Sequence, residues 1–435
     1  MRRETELAGQ VREWTVDGFH EQLRAEGVTR AFAVYKDGEI LLSHPGLRPL
    51  QAFLEQSPDF AQHEGVFIGR EEGVPALFFA FVHSTRRGLS QGGLRFWKYD
   101  SLAAVIEDGL RLSQGMSRKN ALAGLWWGGG KGIVTLPSRY GHPSELAQGS
   151  PERLRIFEAY GRFGASLGGV YYTAEDVGTK TYDMDAIFSQ NRFATCISKE
   201  LGGSGNPSVY TAIGVFRALQ AAWMFLEKTD DLTGVRVAVQ GAGNVGRPLI
   251  EQLDDAGAEV WVSDVVAGPL EEIKRERPRV HTMLLPQEEA DRILGLDVDV
   301  IAPCARGAVI NERTIPLVKA RLICGGANNI LSTDKDAEIL HQRGIWFVPD
   351  FVCNRMGIVN CADEWSGHLD EDVRNAAELV YPATLEVLEA AREQRVTPLE
   401  AANAKADAEA ARLHPILGHR GRRIIDHLIE SGWHS

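Results

Sequence analysis

The run Gly241-Ala242-Gly243-Asn244-Val245-Gly246 constrains this chain more than any other feature. It follows a short continuous apolar stretch, residues 234–240, of the kind that forms a strand buried on both faces, and it opens a helix. In that setting each glycine has a physical reason. Gly241 permits a tight turn, Gly243 lets the backbone approach a pyrophosphate, and Gly246 lets helix pack on strand. The phosphates then lie at the positive end of the helix, against its free backbone N–H groups. The next strand, residues 258–262, leads to Asp264, 18 residues beyond Gly246, where a carboxylate can accept from a ribose 2′-hydroxyl. The same carboxylate would repel a 2′-phosphate, and no Lys or Arg follows within six residues. The expected cofactor is NAD rather than NADP.

Strand-like runs at residues 298–301, 322–324 and 345–348 continue the alternation with helices. Together they imply an α/β fold with a Rossmann-type, doubly wound nucleotide domain over residues 204–394. Its start is set by the turn formers of residues 203–207. Before it, strand-like runs at 65–68 and 76–83 and a helix from Leu102 to about Met116 indicate a second α/β domain. That domain is assigned residues 46–203 with the helical tail 395–435, as a substrate-binding and oligomerisation domain separated from the first by a cleft. Residues 1–45 read as an extension carrying a hairpin that turns at Asp37-Gly38. The hairpin is either a docking element or a decorative edge.

Composition narrows the partners. The 435 residues carry 47 basic and 59 acidic side chains, a formal charge of -12. An acidic surface argues against broad contact with nucleic acid or anionic lipid, and leaves room for one small anion in a local basic pocket. Cys196, Cys304, Cys324, Cys353 and Cys361 show no C-x-x-C spacing, as expected of reduced thiols in a cytoplasmic protein. Arg2-Arg3 is followed by Glu4 rather than by an apolar segment. Apolar stretches such as residues 74–82 are strand length, far short of the ~20 residues that span a bilayer. His414, His419, His427 and His434 have no ligand spacing and stand among arginines, so no metal is expected and the tail reads as a surface helix.

A second cluster of unusual residues precedes the nucleotide domain. It comprises Gly92-Gly93-Leu94-Arg95, then Lys119, then Lys131 within the glycine run 128–132, then Asp176 before a Val-Gly turn. Two ammonium groups beside a glycine backbone have two uses. One stays charged and clamps a carboxylate, and the other, partly desolvated, gives up its proton more readily and serves in acid/base chemistry. Spacing alone leaves this reading level with two solvated surface lysines. Asp176 is either a proton-transfer partner or a helix cap. One carboxylate, two lysines and NAD are what dehydrogenation of a small amino acid requires.

These residues carry a resemblance. From about Leu50 to about Ala411 the chain resembles the glutamate/leucine/phenylalanine/valine dehydrogenase superfamily, most of all its leucine dehydrogenase branch. The shared words are Gly92–Arg95, Gly128–Lys131, Thr173–Gly178, Ser204–Pro207, Ala302–Cys304, Gly326–Asn329 and Ala362–Glu364, in that order. The resemblance implies that Lys119 binds the substrate α-carboxylate, that Lys131 is the catalytic lysine, and that Asp176 exchanges protons with the amino group. It places the Gly93 backbone against the substrate, and Gln91, Ala174, Ile358 and Cys361 around its side chain. Thr211, Asn328 and Asn329 would border the nicotinamide and its ribose, and Cys304 and Ala305 would also bind the cofactor. The implied reaction is reversible oxidative deamination to a 2-keto acid and ammonium, by a homo-oligomer.

Three departures bear on the substrate. Gln91 stands where glutamate dehydrogenases carry a lysine for the side-chain carboxylate, so the expected guest is a neutral, branched-chain or other apolar L-amino acid. Arg355-Met356 replaces the family's Ala-Gly; both either narrow the pocket or point away into a domain contact. Trp126-Trp127 replaces smaller residues, either as core packing or as an aromatic wall for a larger substrate. An aromatic amino acid (phenylalanine or tryptophan) is therefore the alternative substrate class. A non-catalytic, NAD-responsive binding protein is the alternative outside enzymes.

Overall fold

The computed structural model describes residues 2–434, which divide into two compact units. The first comprises the chain up to Gly205, the short insert Glu364–Gly367 and the segment from Asp407 onward. The second is Asn206–Asp363 with His368–Ala406. Residues 395–406 thus lie in the second unit, unlike the sequence assignment. The helix Pro398–Ala410 runs beside Val380–Gln394, and Lys405 pairs with Glu386 between them.

The first unit is built on seven strands: β1 (Arg30–Lys36), β2 (Glu39–Leu42), β3 (Gly65–Gly69), β4 (Phe78–Ser84), β5 (Ser90–Trp97), β6 (Gly128–Thr135) and β7 (Tyr171–Glu175). Their order in the sheet is β2-β1-β3-β4-β6-β5-β7. The meander from β1 to β4 is antiparallel, whereas β6, β5 and β7 are parallel neighbours. Parallel neighbours need crossovers. The helices Leu102–Leu122 and Pro151–Ser166 supply them, each opened by a serine whose hydroxyl accepts a backbone N–H, Ser101 from Ala104 and Ser150 from Arg153.

The N-terminal 45 residues are not an add-on. The hairpin turns at Asp37 (φ 52°) and Gly38 (φ 93°), and β1 pairs along its length with β3. The helices Arg2–Glu13, Val16–Ala25 and Arg48–Gln56 contribute Val11, Phe19, Leu50 and Phe53 to one core with Ile68, Phe79, Phe81, Val105 and Ile133. The tail is likewise more than a surface helix. Leu417–Glu430 buries Gly418, Gly421, Ile425 and Leu428, Asp426 pairs with Lys36 at 2.8 Å, and Arg422 donates to the Tyr35 carbonyl. Alternation of small or apolar residues with arginines is what gives that helix one dry face and one wet one.

The second unit holds six parallel strands: β8 (Arg236–Gln240), β9 (Glu259–Asp264), β10 (His281–Leu284), β11 (Val300–Pro303), β12 (Leu322–Ile323) and β13 (Trp346–Phe347). They lie in the order β10-β9-β8-β11-β12-β13. Counted from the first strand of the unit that is 3-2-1-4-5-6, the doubly wound order with its switch point between β8 and β11. The helix Ser208–Glu227 is long and apolar enough to cross a bilayer, which the sequence reading had excluded for apolar stretches in general. Its apolar window is 61% buried within the protein, because the helices Asp370–Glu378 and Val380–Gln394 pack on it. A helix covered on several sides has no need of a polar face.

Candidate active site

In the first unit the site is a consequence of strand register. Gln91 aligns with Gly129 on β6 and Tyr172 on β7, and Gly93 aligns with Ala174. Because side chains alternate, Gln91, Gly93 and Arg95 share one face of β5 with Lys131 of β6 and Ala174 of β7. Gly93 sits mid-row without a side chain. A Cβ there would lie 2.6 Å from the Asp176 Cβ, so only glycine leaves the space in which Asp176, just past β7, meets Lys131. The glycines of β6 serve the same closeness. A Cβ on Gly129 would lie 2.1 Å from Ser117 Oγ on the helix Leu102–Leu122, and one on Gly130 would lie 2.6 Å from the Tyr171 ring.

Lys131 is 4% exposed, and its ammonium donates to Asp176 Oδ2. Burial draws its pKa below the ordinary lysine value, against the opposing charge of Asp176, and Arg95 adds to the lowering. For Asp176 burial works upward, but Lys131 and Arg95 outweigh it and hold the carboxyl below the usual carboxylate range. The opposite charges favour the ion pair, while burial eases the loss of the lysine proton. The backbone N–H of Asp176 donates to Thr179 Oγ1 at 2.9 Å, which fixes the turn that presents it.

Arg95, Asp108 and Tyr99 were given no role from sequence. Arg95 Nε lies 3.6 Å from the same Asp176 Oδ2, its Nη1 donates to Asp108 Oδ2 at 2.7 Å, and the Tyr99 hydroxyl donates to that oxygen at 2.7 Å. Strand alternation alone puts Arg95 on the face of Gly93, but its link to Asp176 comes only from the register of β5 with β7. Lys119 lies in the last turn of the helix Leu102–Leu122, half-buried, where a cation suits the helix dipole. Gln91 is 1% exposed, and among the described residues neither end of its amide has a hydrogen-bond partner. Beside it, Tyr172 contacts Trp127 (ring centroids 4.9 Å), Trp365 (4.9 Å) and Phe193 (5.3 Å). Trp126 is half out in solvent, stacked on by Arg87 at 4.4 Å, so it is neither core nor part of that aromatic group.

In the second unit the glycine loop links β8 to the helix Gly246–Asp255. Gly241 has φ 102°, and a Cβ on Gly246 would lie 2.0 Å from the Gly241 carbonyl oxygen. A Cβ on Gly243 would meet nothing within 4 Å, which leaves the open backbone that a pyrophosphate needs. Asn244 and Val245 lie between, and Val245 packs on Gly326. Asp264 ends β9, with Oδ2 accepting from Ala242 N–H at 2.8 Å and Oδ1 from Val266 N–H at 2.9 Å. These features fit a dinucleotide.

The C-terminal end of β11 carries Cys304 and the exposed Ala305. The Cys304 sulfur accepts from Gly326 N–H, and burial pushes its thiol up to about 12, which suits a packed thiol and not a nucleophile. Asn328 Oδ1 accepts from Asn354 Nδ2 at 2.8 Å, and Asn329, at φ 51°, donates its N–H to Asp350. Thr211 Oγ1 donates to the Pro207 carbonyl. Ile358 and Cys361 are buried one turn apart on the helix Met356–Asp363. Arg355 and Met356 both turn inward within this unit: Arg355 is 5% exposed and donates to the Leu379 carbonyl at 2.7 Å, and Met356 packs against Gly214.

A family model described as Glu/Leu/Phe/Val dehydrogenase, dimerisation domain, matches residues 70–193, and one described as Glutamate/Leucine/Phenylalanine/Valine dehydrogenase matches residues 202–414. The chain is 39% identical over 347 residues to leucine dehydrogenase from Bacillus cereus, spanning 79% of this chain and 89% of that protein. To valine dehydrogenase from Streptomyces coelicolor it is 36% identical over 361 residues, spanning 82% and 94%. Of solved structures, L-tryptophan dehydrogenase from Nostoc punctiforme superposes with a TM-score of 0.68 at 30% identity, covering 83% of this chain and 97% of that one. Hetero-hexameric glutamate dehydrogenase from Thermus thermophilus shares the fold at a TM-score of 0.63 and 19% identity, covering 91% and 88%. With both units matched in order, and relatives aligned over most of their length, this chain belongs to the glutamate/leucine/phenylalanine/valine dehydrogenase family.

Proposed function

We propose that the protein catalyses the reversible, NAD-dependent oxidative deamination of a neutral, branched-chain L-amino acid to its 2-keto acid and ammonium. The observation that carries this reading is the buried Lys131–Asp176 pair, set over the bare backbone of Gly93. When bound, the dinucleotide supplies the hydride acceptor; the loop at Gly243, the helix start at Gly246 and the Asp264 carboxylate are the groups that would hold it. NAD is favoured because the residues after Asp264, Val265 and Val266, are exposed and apolar and offer a 2′-phosphate no cation. Lys119 clamps the substrate carboxylate. Asp176 takes a proton from the substrate ammonium, leaving a neutral amine from which Cα can shed hydride. In its neutral form, which burial favours, Lys131 then removes a proton from the water that attacks the resulting imine, and returns it as ammonia leaves.

The substrate reading rests on Gln91, which is uncharged where a side-chain carboxylate would need a cation, and on the buried Ala174, Ile358 and Cys361. The leucine and valine dehydrogenase relatives support the same class. An aromatic substrate is the second reading, favoured by Trp127, Tyr172 and Trp365 beside Gln91 and by the tryptophan dehydrogenase neighbour. The match of the first unit to a dimerisation-domain model supports a homo-oligomer. The test is NADH formation at alkaline pH across the twenty L-amino acids, with NADP in parallel. Turnover of leucine, valine or isoleucine with NAD supports the first reading, and selective turnover of phenylalanine or tryptophan the second. Silence with every amino acid, from folded protein that binds NAD, would sink both.

A further inference from the structure

We propose that Arg95, braced by Asp108 and Tyr99, is a positioning residue that holds the Asp176 carboxylate ionised on Lys131 and so sets the pH range in which the pair can exchange protons with substrate. This rests on the reading of Lys131 and Asp176 as the proton-transfer pair. The geometry is convergent. Lys131 Nζ and Arg95 Nε both address Asp176 Oδ2, the second from 3.6 Å. That distance is too long for a hydrogen bond, and Arg95 Nε is buried without one, yet it is short for two unlike charges. Arg95 cannot swing closer, because its Nη1 is bound to Asp108 at 2.7 Å and Asp108 is bound in turn by Tyr99 and, at 3.2 Å, by Arg111.

A guanidinium fixed in this way stays charged whatever the lysine does. It acts on the two partners in one sense. It favours the carboxylate form of Asp176 and, as a like charge, disfavours the ammonium form of Lys131. On the face of the pair stands Arg95 from β5, backed by Asp108 of the helix Leu102–Leu122, which Tyr99 and Arg111 bind in turn; the buried phenol of Tyr171 lies on the opposite face of β7. Of these, Arg95 is the cation nearest Asp176 apart from Lys131 itself. A direct hydrogen bond from Arg95 would compete with Lys131 for Oδ2; the standoff gives the charge without the competition.

The test compares pH profiles of kcat/KM in the deamination direction for the wild type, Arg95→Gln and Arg95→Lys. Loss of the charge is expected to move the profile of Arg95→Gln upward by about one pH unit, while Arg95→Lys keeps the wild-type profile with a lower kcat. Arg95→Met, which retains the aliphatic stem, replaces Arg95→Gln should the latter not fold. A readout independent of turnover accompanies it: the pH midpoint of trace acetylation at Lys131, read by mass spectrometry on the folded protein, rises by about one unit in the neutral variants. An unchanged profile and midpoint, with only kcat lowered, would overturn the proposal. A wild type that turns over no amino acid overturns the enzyme reading alone, since the acetylation midpoint still reports on Arg95.

Discussion

Asp264 shows how much a single side chain in this fold is asked to do. Its two oxygens already accept backbone N–H groups from Ala242 and Val266, so the carboxylate ties the glycine loop to the end of β9 before any ligand arrives. A carboxylate has about four acceptor sites, which leaves room for a ribose hydroxyl. Asp264→Ala is therefore expected to weaken NAD binding by about tenfold or more, roughly the loss of one hydrogen bond to a charged group. NADP should lose far less, having gained nothing from the carboxylate. Titration by quenching or enhancement of nucleotide fluorescence reads both, and an NAD affinity equal to wild type would refute the ribose assignment. Residue types at this scale were legible where the backbone is local, as in the glycine loop. Arg95 was not, because its meaning depends on Asp176 some eighty residues on, and only the register of β5 with β7 puts the two on one face.

At the scale of elements, glycines of two kinds separate packing from function. On β6, a Cβ at Gly129 would strike Ser117 Oγ at 2.1 Å and the Ser113 carbonyl oxygen and Ser117 nitrogen at 2.4 Å. Two of these three are helix backbone and cannot step aside without moving the helix Leu102–Leu122 off the sheet. On the loop after β8, Gly243 faces open space and has no left-handed φ. Gly129→Ala is expected to destabilise the protein by about 1–3 kcal/mol, seen as a clear fall in Tm. Gly243→Ala should leave Tm close to wild type and instead reduce nucleotide affinity, because the added methyl meets the pyrophosphate. Equal effects of the two changes on Tm would contradict this division. The sequence shows the Gly243 role through its strand–loop–helix context, whereas β6 reads as a glycine run with no periodicity at all. Its eight buried positions become a strand only through the helix and the rings of Tyr160 and Tyr171 that fill the missing side chains' places.

At the scale of the whole molecule, the parallel nucleotide domain was legible because five of its six strands are short, largely apolar runs between turn formers; the edge strand β10, His281–Leu284, is too polar and exposed to read that way. The N-terminal 45 residues were not, since their helices show an apolar face whose partner, Phe79 and Val105 among others, comes later in the chain. That shared core also carries an acid-sensitive pair. His63 is 1% exposed, with Nε2 against the Leu110 carbonyl at 2.9 Å and Ser113 Oγ at 3.1 Å. His83 meets Ser117 Oγ at 2.7 Å, and the two rings lie 4.7 Å apart. Burial lowers His63 to about 3 and His83 to about 4, each also opposed by a neighbouring cationic or imidazole group. Both folded values lie below the unfolded 6.5, so the unfolded chain binds these protons first, and the stability present above pH 6.5 is lost as pH falls towards 4. Either ring alone would cost on the order of 3 kcal/mol by pH 4. Glu64, raised by its own burial, works the other way but only near the carboxylate range. Thermal unfolding followed from pH 7 to pH 4 should therefore show Tm falling from about pH 6 downward, well before carboxylates titrate. His63→Phe, which keeps a ring but cannot charge, is expected to flatten that slope; a variant with the wild-type slope would mean that the buried pair does not govern the acid limit, and that the carboxylates in ion pairs do.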